Sequence, residues 1–126
     1  MKPGKTGVQR VIDAAGYSIK GIKFAWANEA AFRQECVLAL IMIPLAFVIA
    51  ESVSQIILLV APIVLVLIIE LINSAIEAVV DRIGDEIHEL SGAAKDIGSA
   101  AVLLALLLTA FIWIIIILHN IFALFS

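Results

Sequence analysis

The run Ile56 to Val80 is almost wholly apolar and long enough to cross a bilayer, yet it carries Glu70 and Glu77 with Asn73 and Ser74 between them. A spanning helix needs about 20 residues, and a charge near the hydrocarbon centre costs roughly 2.5 to 3.5 kcal/mol on insertion scales. In a helix, offsets of three, four and seven residues put Glu70, Asn73, Ser74 and Glu77 on one face, and Asp81 extends that stripe by a turn. Polar groups aligned in this way face a protein interior, a water-filled cavity or the inner membrane boundary, and mark a functional site. A hydrogen-bonding seam between helices is the plainer use. Asn or Ser would serve it at lower desolvation cost than two glutamates.

Two further apolar runs complete a three-span pattern: Cys36 to Ala50, interrupted only by Pro44, and Ala100 to Leu118, interrupted only by Thr109. With 63% hydrophobic and 15% charged residues and a mean hydropathy of +1.16, the 126-residue chain is too apolar for a soluble domain. The expected architecture is an all-α membrane protein forming a single domain over residues 1–126. A surface helix region covers residues 1–34, and the spans cover about residues 35–50, 53–80 and 93–119. A tight turn, Glu51 to Gln55, joins the first two spans. The polar segment Asp81 to Asp96, with breaks at Gly84 and Gly92, joins the second and third.

Charge placement orients these spans. Lys2, Lys5, Arg10, Lys20, Lys23 and Arg33 precede the first span, and Arg82 and Lys95 lie in the second connection, whereas the Glu51 turn and the C-terminal tail have no Lys or Arg. The N-terminus and the Asp81 to Asp96 segment are therefore expected on the cytoplasmic side, and the acidic stripe opens there. The first apolar run follows a long charged region, so no cleavable signal peptide is expected. A formal charge of −3, without a basic block, excludes nucleic acid as a partner. The single Cys36 excludes an intrachain disulfide and a cysteine metal cluster. Three thin spans enclose little by themselves, so oligomerisation is expected.

Ahead of the spans, Val8, Val11, Ile12, Ala15, Ile19 and Ile22 recur at helical spacing while Arg10, Asp13, Lys20 and Lys23 fall off that stripe. This is the pattern of an amphipathic helix in the interface plane, and Trp26 suits the headgroup level. Gly16 and Gly21 would loosen such a helix, which is unhelpful for a pure anchor.

At Asn28-Glu29-Ala30-Ala31-Phe32-Arg33-Gln34-Glu35, at Glu70 to Asp81 and at His88 to Ser99 the chain resembles the small bacterial membrane diacylglycerol kinases. Ala14-Ala15-Gly16-Tyr17-Ser18 with Lys20-Gly21 extends the likeness upstream. The resemblance implies a homotrimer of three-span subunits in the bacterial inner membrane, each with an N-terminal surface helix. It also implies active sites shared between subunits at the cytoplasmic face. The implied reaction uses ATP and Mg2+ to phosphorylate the hydroxyl of diacylglycerol, giving phosphatidic acid and ADP.

Phosphoryl transfer needs a cation on the phosphates, positive donors for the developing charge and a group to orient or deprotonate the attacking hydroxyl. Magnesium accepts carboxylate oxygens. Glu77 lies about two turns, or roughly 10 Å, nearer the cytoplasm than Glu70. Glu77 therefore suits a metal bound to ATP and Glu70 a lipid hydroxyl at the membrane boundary. The resemblance agrees, implying Glu70 as proton acceptor and Glu29 and Glu77 as metal ligands, while Asn73 and Asp81 on the same stripe are expected in structural or orienting roles. No GxxxxGK[ST], kinase-type glycine loop, HRD or DFG sequence occurs. For the nucleotide the resemblance points to Arg10, Tyr17, Glu29, Glu77, Glu86, Ile87, His88, Lys95 and Asp96. Lys95 is also the one lysine beyond the N-terminal region. The His88 imidazole has no second histidine at ligand spacing, which favours a loop role over a metal.

For the lipid, the resemblance points first to Ala14, Ala15, Gly16, Tyr17, Ser18 and Ile19, then to Lys23, Phe24, Ala25 and Trp26. Ala31, Phe32, Arg33, Gln34 and Glu35 follow, with Phe47, Val48, Ile49 and Ala50, Glu70 and Ser99. The last group is Trp113, Ile114, Ile115, Ile116, Ile117 and Leu118. Several of these are apolar residues that any spanning helix shows to lipid. Ser99 is four residues after Lys95 and shares its face. A kinase for another lipid alcohol such as undecaprenol shares the Glu, Asn, Glu and Lys-Asp pattern, but Asn28 to Glu35 looks more like the diacylglycerol branch. A small proton-coupled transporter would use Glu70 to bind protons, and would leave Glu29 and Lys95-Asp96 without roles.

Overall fold

The computed structural model describes residues 6–83 and 88–126. These form four helices: α1 (Gly7–Asn28), α2 (Ala30–Ile49), α3 (Val53–Ile83) and α4 (Glu89–Leu124). Among the described residues, α2, α3 and α4 are long and apolar enough to cross a membrane, at 20, 31 and 36 residues. At 1.5 Å per residue α3 and α4 reach about 46 and 54 Å, well beyond a hydrocarbon layer of about 30 Å. Their polar ends therefore project from it.

Several boundaries depart from the sequence pattern for local reasons. The first span begins at Ala30 and not near residue 35, because only Glu29 leaves helical geometry, at φ −118° and ψ 104°. Helix-type bonding runs through it on both sides, Glu29 N–H to the Ala25 carbonyl at 2.8 Å and Arg33 N–H to the Glu29 carbonyl at 3.2 Å. The turn after α2 is shorter than Glu51 to Gln55. Ser52 Oγ accepts from Gln55 N–H at 3.1 Å while Gln55 Oε1 accepts from Glu51 N–H at 3.0 Å, an exchange close to a capping box that starts α3 at Val53. Gly92, read from sequence as a break, lies inside α4. There His88 Nδ1 caps the start by accepting from Leu90 N–H at 3.1 Å, and Gly92 N–H bonds the His88 carbonyl at 3.0 Å. The cost of one helical glycine, about 1 kcal/mol, is small beside a long packed helix. Gly84 lies outside the described residues.

α3 is the central element. It packs most extensively on α4, then on α2, while α1 touches α2 and α3 more lightly. Ala39, Ala46, Leu59, Ile63, Trp113 and Ile116 form the apolar core of these contacts. Pro62 lies inside α3, where it lacks an N–H and its ring crowds the preceding turn. α4 packs against this stretch: Trp113 Nε1 donates to the Leu59 carbonyl at 3.0 Å, while Thr109 Oγ1 donates to the Ala105 carbonyl of its own helix at 2.8 Å and lies 3.4 Å from the Pro62 carbonyl. At the far end Asn120 Nδ2 donates to the Ile49 carbonyl at 3.1 Å and its amide pairs with Gln55, tying all three spans together. Most large apolar side chains, among them Leu40, Val48 and Leu104, point outward, as a bilayer requires.

Candidate active site

The polar stripe of α3 turns inward at the end opposite the Asn120 clamp. Glu70, Asn73 and Ser74 are buried, at 4%, 7% and 6% exposure, and Glu77 is half-buried one turn further on. Asn73 Nδ2 donates to Glu77 Oε1 at 3.4 Å, so the amide steers that carboxylate. Such burial is possible because α4 presents Gly98 against Asn73, with backbone where any other residue would bring a side chain. Gly98 is the residue that sequence reasoning missed. Its only signal is its position three residues after Lys95, which puts it near the same face.

Beyond Glu77, Asp81 and Lys95 make an ion pair at 2.7 Å that links the ends of α3 and α4. Both partners are well exposed, so the pair holds Lys95 in place more than it stabilises the fold. Asp96 and Ser99 are exposed along the same stretch of α4.

Glu29 joins this cluster through the one-residue break between α1 and α2. Its carboxyl comes within hydrogen-bonding reach of Glu77 and within range of the Asp81 charge. Partial burial, then the Glu77 and Asp81 charges, push the Glu29 carboxyl above the usual range for a glutamate. Two carboxylates crowded in this way are a donor set for a divalent cation. Magnesium commonly takes one or two carboxylates and completes its octahedron with water and phosphate oxygens. The Glu29–Glu77 pair fits that demand. Among the described residues no group of three or more His, Cys, Asp or Glu converges into an all-protein cage.

The other sequence candidates divide by location. Arg10 and Tyr17 are exposed on α1, and Lys20 stacks its ammonium 6.0 Å from the Tyr17 ring centre. Arg10 and Tyr17 lie about 28 and 18 Å from Glu29 along the helix axis, so Arg10 does not reach Glu29 within one chain. Glu86 and Ile87 lie outside the described residues, and His88 is exposed as the α4 cap. Among the lipid candidates, Ala14, Ala15, Gly16, Ser18, Ile19, Lys23, Phe24 and Trp26 are exposed on α1. Ala25 and Phe32 are buried against the bundle. Ala31 and Gln34 are exposed, while Arg33 donates from Nη1 to the Trp26 carbonyl at 2.6 Å and so fastens the α1–α2 junction. Glu35 approaches Glu70 closely enough for their charges to interact.

Phe47, Val48, Ile49 and Ala50 lie at the Asn120 end, far from Glu70. The Trp113 to Leu118 run splits: Ile114, Ile115, Ile117 and Leu118 face outward, whereas Trp113 and Ile116 are packed in the core. That run begins about 21 Å along α4 from Ser99.

The geometry sets paired carboxylates and a lysine at a membrane-projecting end, with a third carboxylate buried beneath them. Residues 16–117 match the family model of the prokaryotic diacylglycerol kinases. The chain belongs to that family. It is 53% identical over 115 residues to a diacylglycerol kinase of Escherichia coli, covering 91% of this chain and 94% of that protein. Likewise it is 52% identical over 108 residues to one of Haemophilus influenzae, covering 86% and 92%. A diacylglycerol kinase of Pseudomonas aeruginosa is 47% identical over 115 residues, covering 91% and 94%. These likenesses run the length of the bundle, so the acidic stripe, the Glu29 break and the Lys95 region all lie within the family's territory.

Proposed function

We propose that the chain is a lipid kinase that transfers the γ-phosphate of ATP to the free hydroxyl of diacylglycerol, giving phosphatidic acid and ADP. The observation that carries this reading is the layered carboxylate arrangement, with Glu29 and Glu77 together near the projecting helix ends and Glu70 buried deeper on the same face. Mg2+ held by Glu29 and Glu77 would offset the negative charge of the ATP phosphates. Lys95, kept in position by Asp81, takes the charge that develops on the transferred group, and Asn73 keeps Glu77 aimed at the cation. Glu70 accepts the proton from the attacking hydroxyl, in a place that an amphiphile reaches from the bilayer. Asp96 and His88 flank the nucleotide's outer end, and Ser99 flanks the lipid.

Arg10 and Tyr17 serve the nucleotide from a neighbouring copy, in a homotrimer with shared sites. This assembly removes the difficulty that one α1 cannot bring Arg10 to its own Glu29. α1 is an amphipathic surface helix lying in the interface plane. The lysines and arginines near the Glu29 end support a cytoplasmic position for that end, at the inner membrane of a bacterium.

The test is incubation of the purified protein with Mg-ATP and, separately, diacylglycerol and undecaprenol. Phosphatidic acid should form with diacylglycerol. Preferential phosphorylation of undecaprenol would move the reading to another lipid alcohol, and no phosphorylated lipid at all would end it. Glu70→Gln should abolish transfer while Mg-ATP still binds, whereas Glu77→Gln should lose Mg-ATP affinity. Equal loss of nucleotide affinity in both folded variants would remove Glu70 from the proton-acceptor role.

A further inference from the structure

Glu29 alone leaves helical geometry between α1 and α2, and its carboxyl comes within hydrogen-bonding reach of Glu77. The direction of that carboxyl is therefore set by the angle at which α1 joins α2. Packing holds this angle weakly, because α1 rests only lightly on α2 and α3. Local bonds must hold it. In an unbroken helix the Trp26 carbonyl would take the Ala30 N–H. The break at Glu29 intervenes, and the Trp26 carbonyl takes Arg33 Nη1 at 2.6 Å. The backbone of the same residue bonds the break itself, Arg33 N–H to the Glu29 carbonyl at 3.2 Å. Arg33 thus grips the end of α1 with its side chain and Glu29 with its main chain. A guanidinium on a carbonyl is a charge-assisted bond, and the last turn of a helix is where a cation is favourably placed.

We propose that Arg33 is a positioning residue for the metal pair: by bonding the Trp26 carbonyl across the break, its guanidinium fixes the α1–α2 angle that holds the Glu29 carboxyl beside Glu77. The inference rests on the reading of Glu29 and Glu77 as magnesium ligands, and adds the residue that brings one of them into place. It gives Arg33 a part in metal binding where the family resemblance implies a lipid contact. The sign of the effect separates this role from plain electrostatics. A positive charge near the pair repels a divalent cation, so charge alone predicts tighter metal binding once Arg33 is neutralised. Loss of the bond across the break predicts weaker binding.

The test is Mn2+ binding to the full-length protein without nucleotide, read by electron paramagnetic resonance of the free ion. The binding lost in Glu77→Gln defines the site. Arg33→Met should weaken Mn2+ binding there about 2- to 12-fold, the range of one hydrogen bond. Arg33→Lys, which keeps one donor, should recover part of that loss, and Arg33→Gln carries the same expectation as Arg33→Met should the latter not fold. In a Glu29→Gln background Arg33→Met should cost nothing further, because Arg33 acts through Glu29. KM for Mg-ATP should rise with the Mn2+ dissociation constant, while KM for diacylglycerol stays at the wild-type value. Unchanged or tighter Mn2+ binding in Arg33→Met, or losses that simply add to those of Glu29→Gln, would overturn the role. A raised KM for diacylglycerol with unchanged Mn2+ binding would overturn it in favour of a lipid contact. A wild-type protein that binds no Mn2+ would instead remove the metal reading of Glu29 and Glu77, and this inference with it.

Discussion

Gly98→Ala tests the packing that lets a polar stripe sit inside an apolar bundle. A Cβ at Gly98 would fall on Asn73 Oδ1 and within 3.1 Å of its Cγ. Asn73 is 7% exposed, so the amide has little free space to retreat into, and a retreat would swing Nδ2 away from Glu77. Forcing one extra carbon into a packed interior costs about 1–3 kcal/mol. The low end applies if the amide rotates, the high end if the helices must part. Either response releases Glu77, so KM for Mg-ATP should rise about 2- to 12-fold, the equivalent of one hydrogen bond. Thermal unfolding in a phospholipid–detergent mixture reads the first effect, and initial rates at varied Mg-ATP read the second. In an Asn73→Ala background the clash has no target, and Gly98→Ala should then cost close to nothing. Equal destabilisation by Gly98→Ala with and without Asn73 would refute the reasoning, as would a fully stable Gly98→Ala with an unchanged KM.

Trp113→Phe removes the donor to the Leu59 carbonyl beside Pro62 and should lower stability by about 1–3 kcal/mol while leaving kcat and both KM values intact, as measured by thermal unfolding and rates at 25 °C. Because Glu29 holds its proton more tightly folded than unfolded, its stability contribution is complete below the ordinary glutamate pKa and is lost as pH rises through the raised one. Mg-ATP binding should correspondingly weaken as pH falls into that window, and Asp81→Asn should move this acid limb of KM to lower pH; an unmoved limb argues against the Asp81 charge. Coexpressed Glu29→Gln and Glu77→Gln chains should stay inactive in mixed oligomers, since the pair is built within one chain, whereas Arg10→Ala with Glu77→Gln should regain partial activity. Recovery in the first mixture and none in the second would reverse the division of the site between copies.

The Glu70 to Asp81 stripe is legible in sequence because polar groups in an apolar run expose the helical period directly. The Trp113 to Leu118 run has no such contrast, and nothing in six consecutive apolar residues says that Trp113 and Ile116 face the core. Long-range packing decides that, through Leu59 and its carbonyl beside Pro62. Glu29 is a different case. Its residue type suggests a ligand, but the approach to Glu77 depends on one non-helical φ/ψ pair with α2 resuming at once, a feature that periodicity read as a longer approach to the span. That break has a consequence for assembly. Because α1 is continuous from Gly7 to Asn28, fixing Glu29 at the carboxylate pair carries Arg10 about 28 Å away along the axis, a gap no side chain spans. If both residues serve one nucleotide, as proposed, each α1 must contribute its two ends to different sites. A second copy supplying Arg10, as proposed, would also help a chain too thin to enclose ATP and lipid alone.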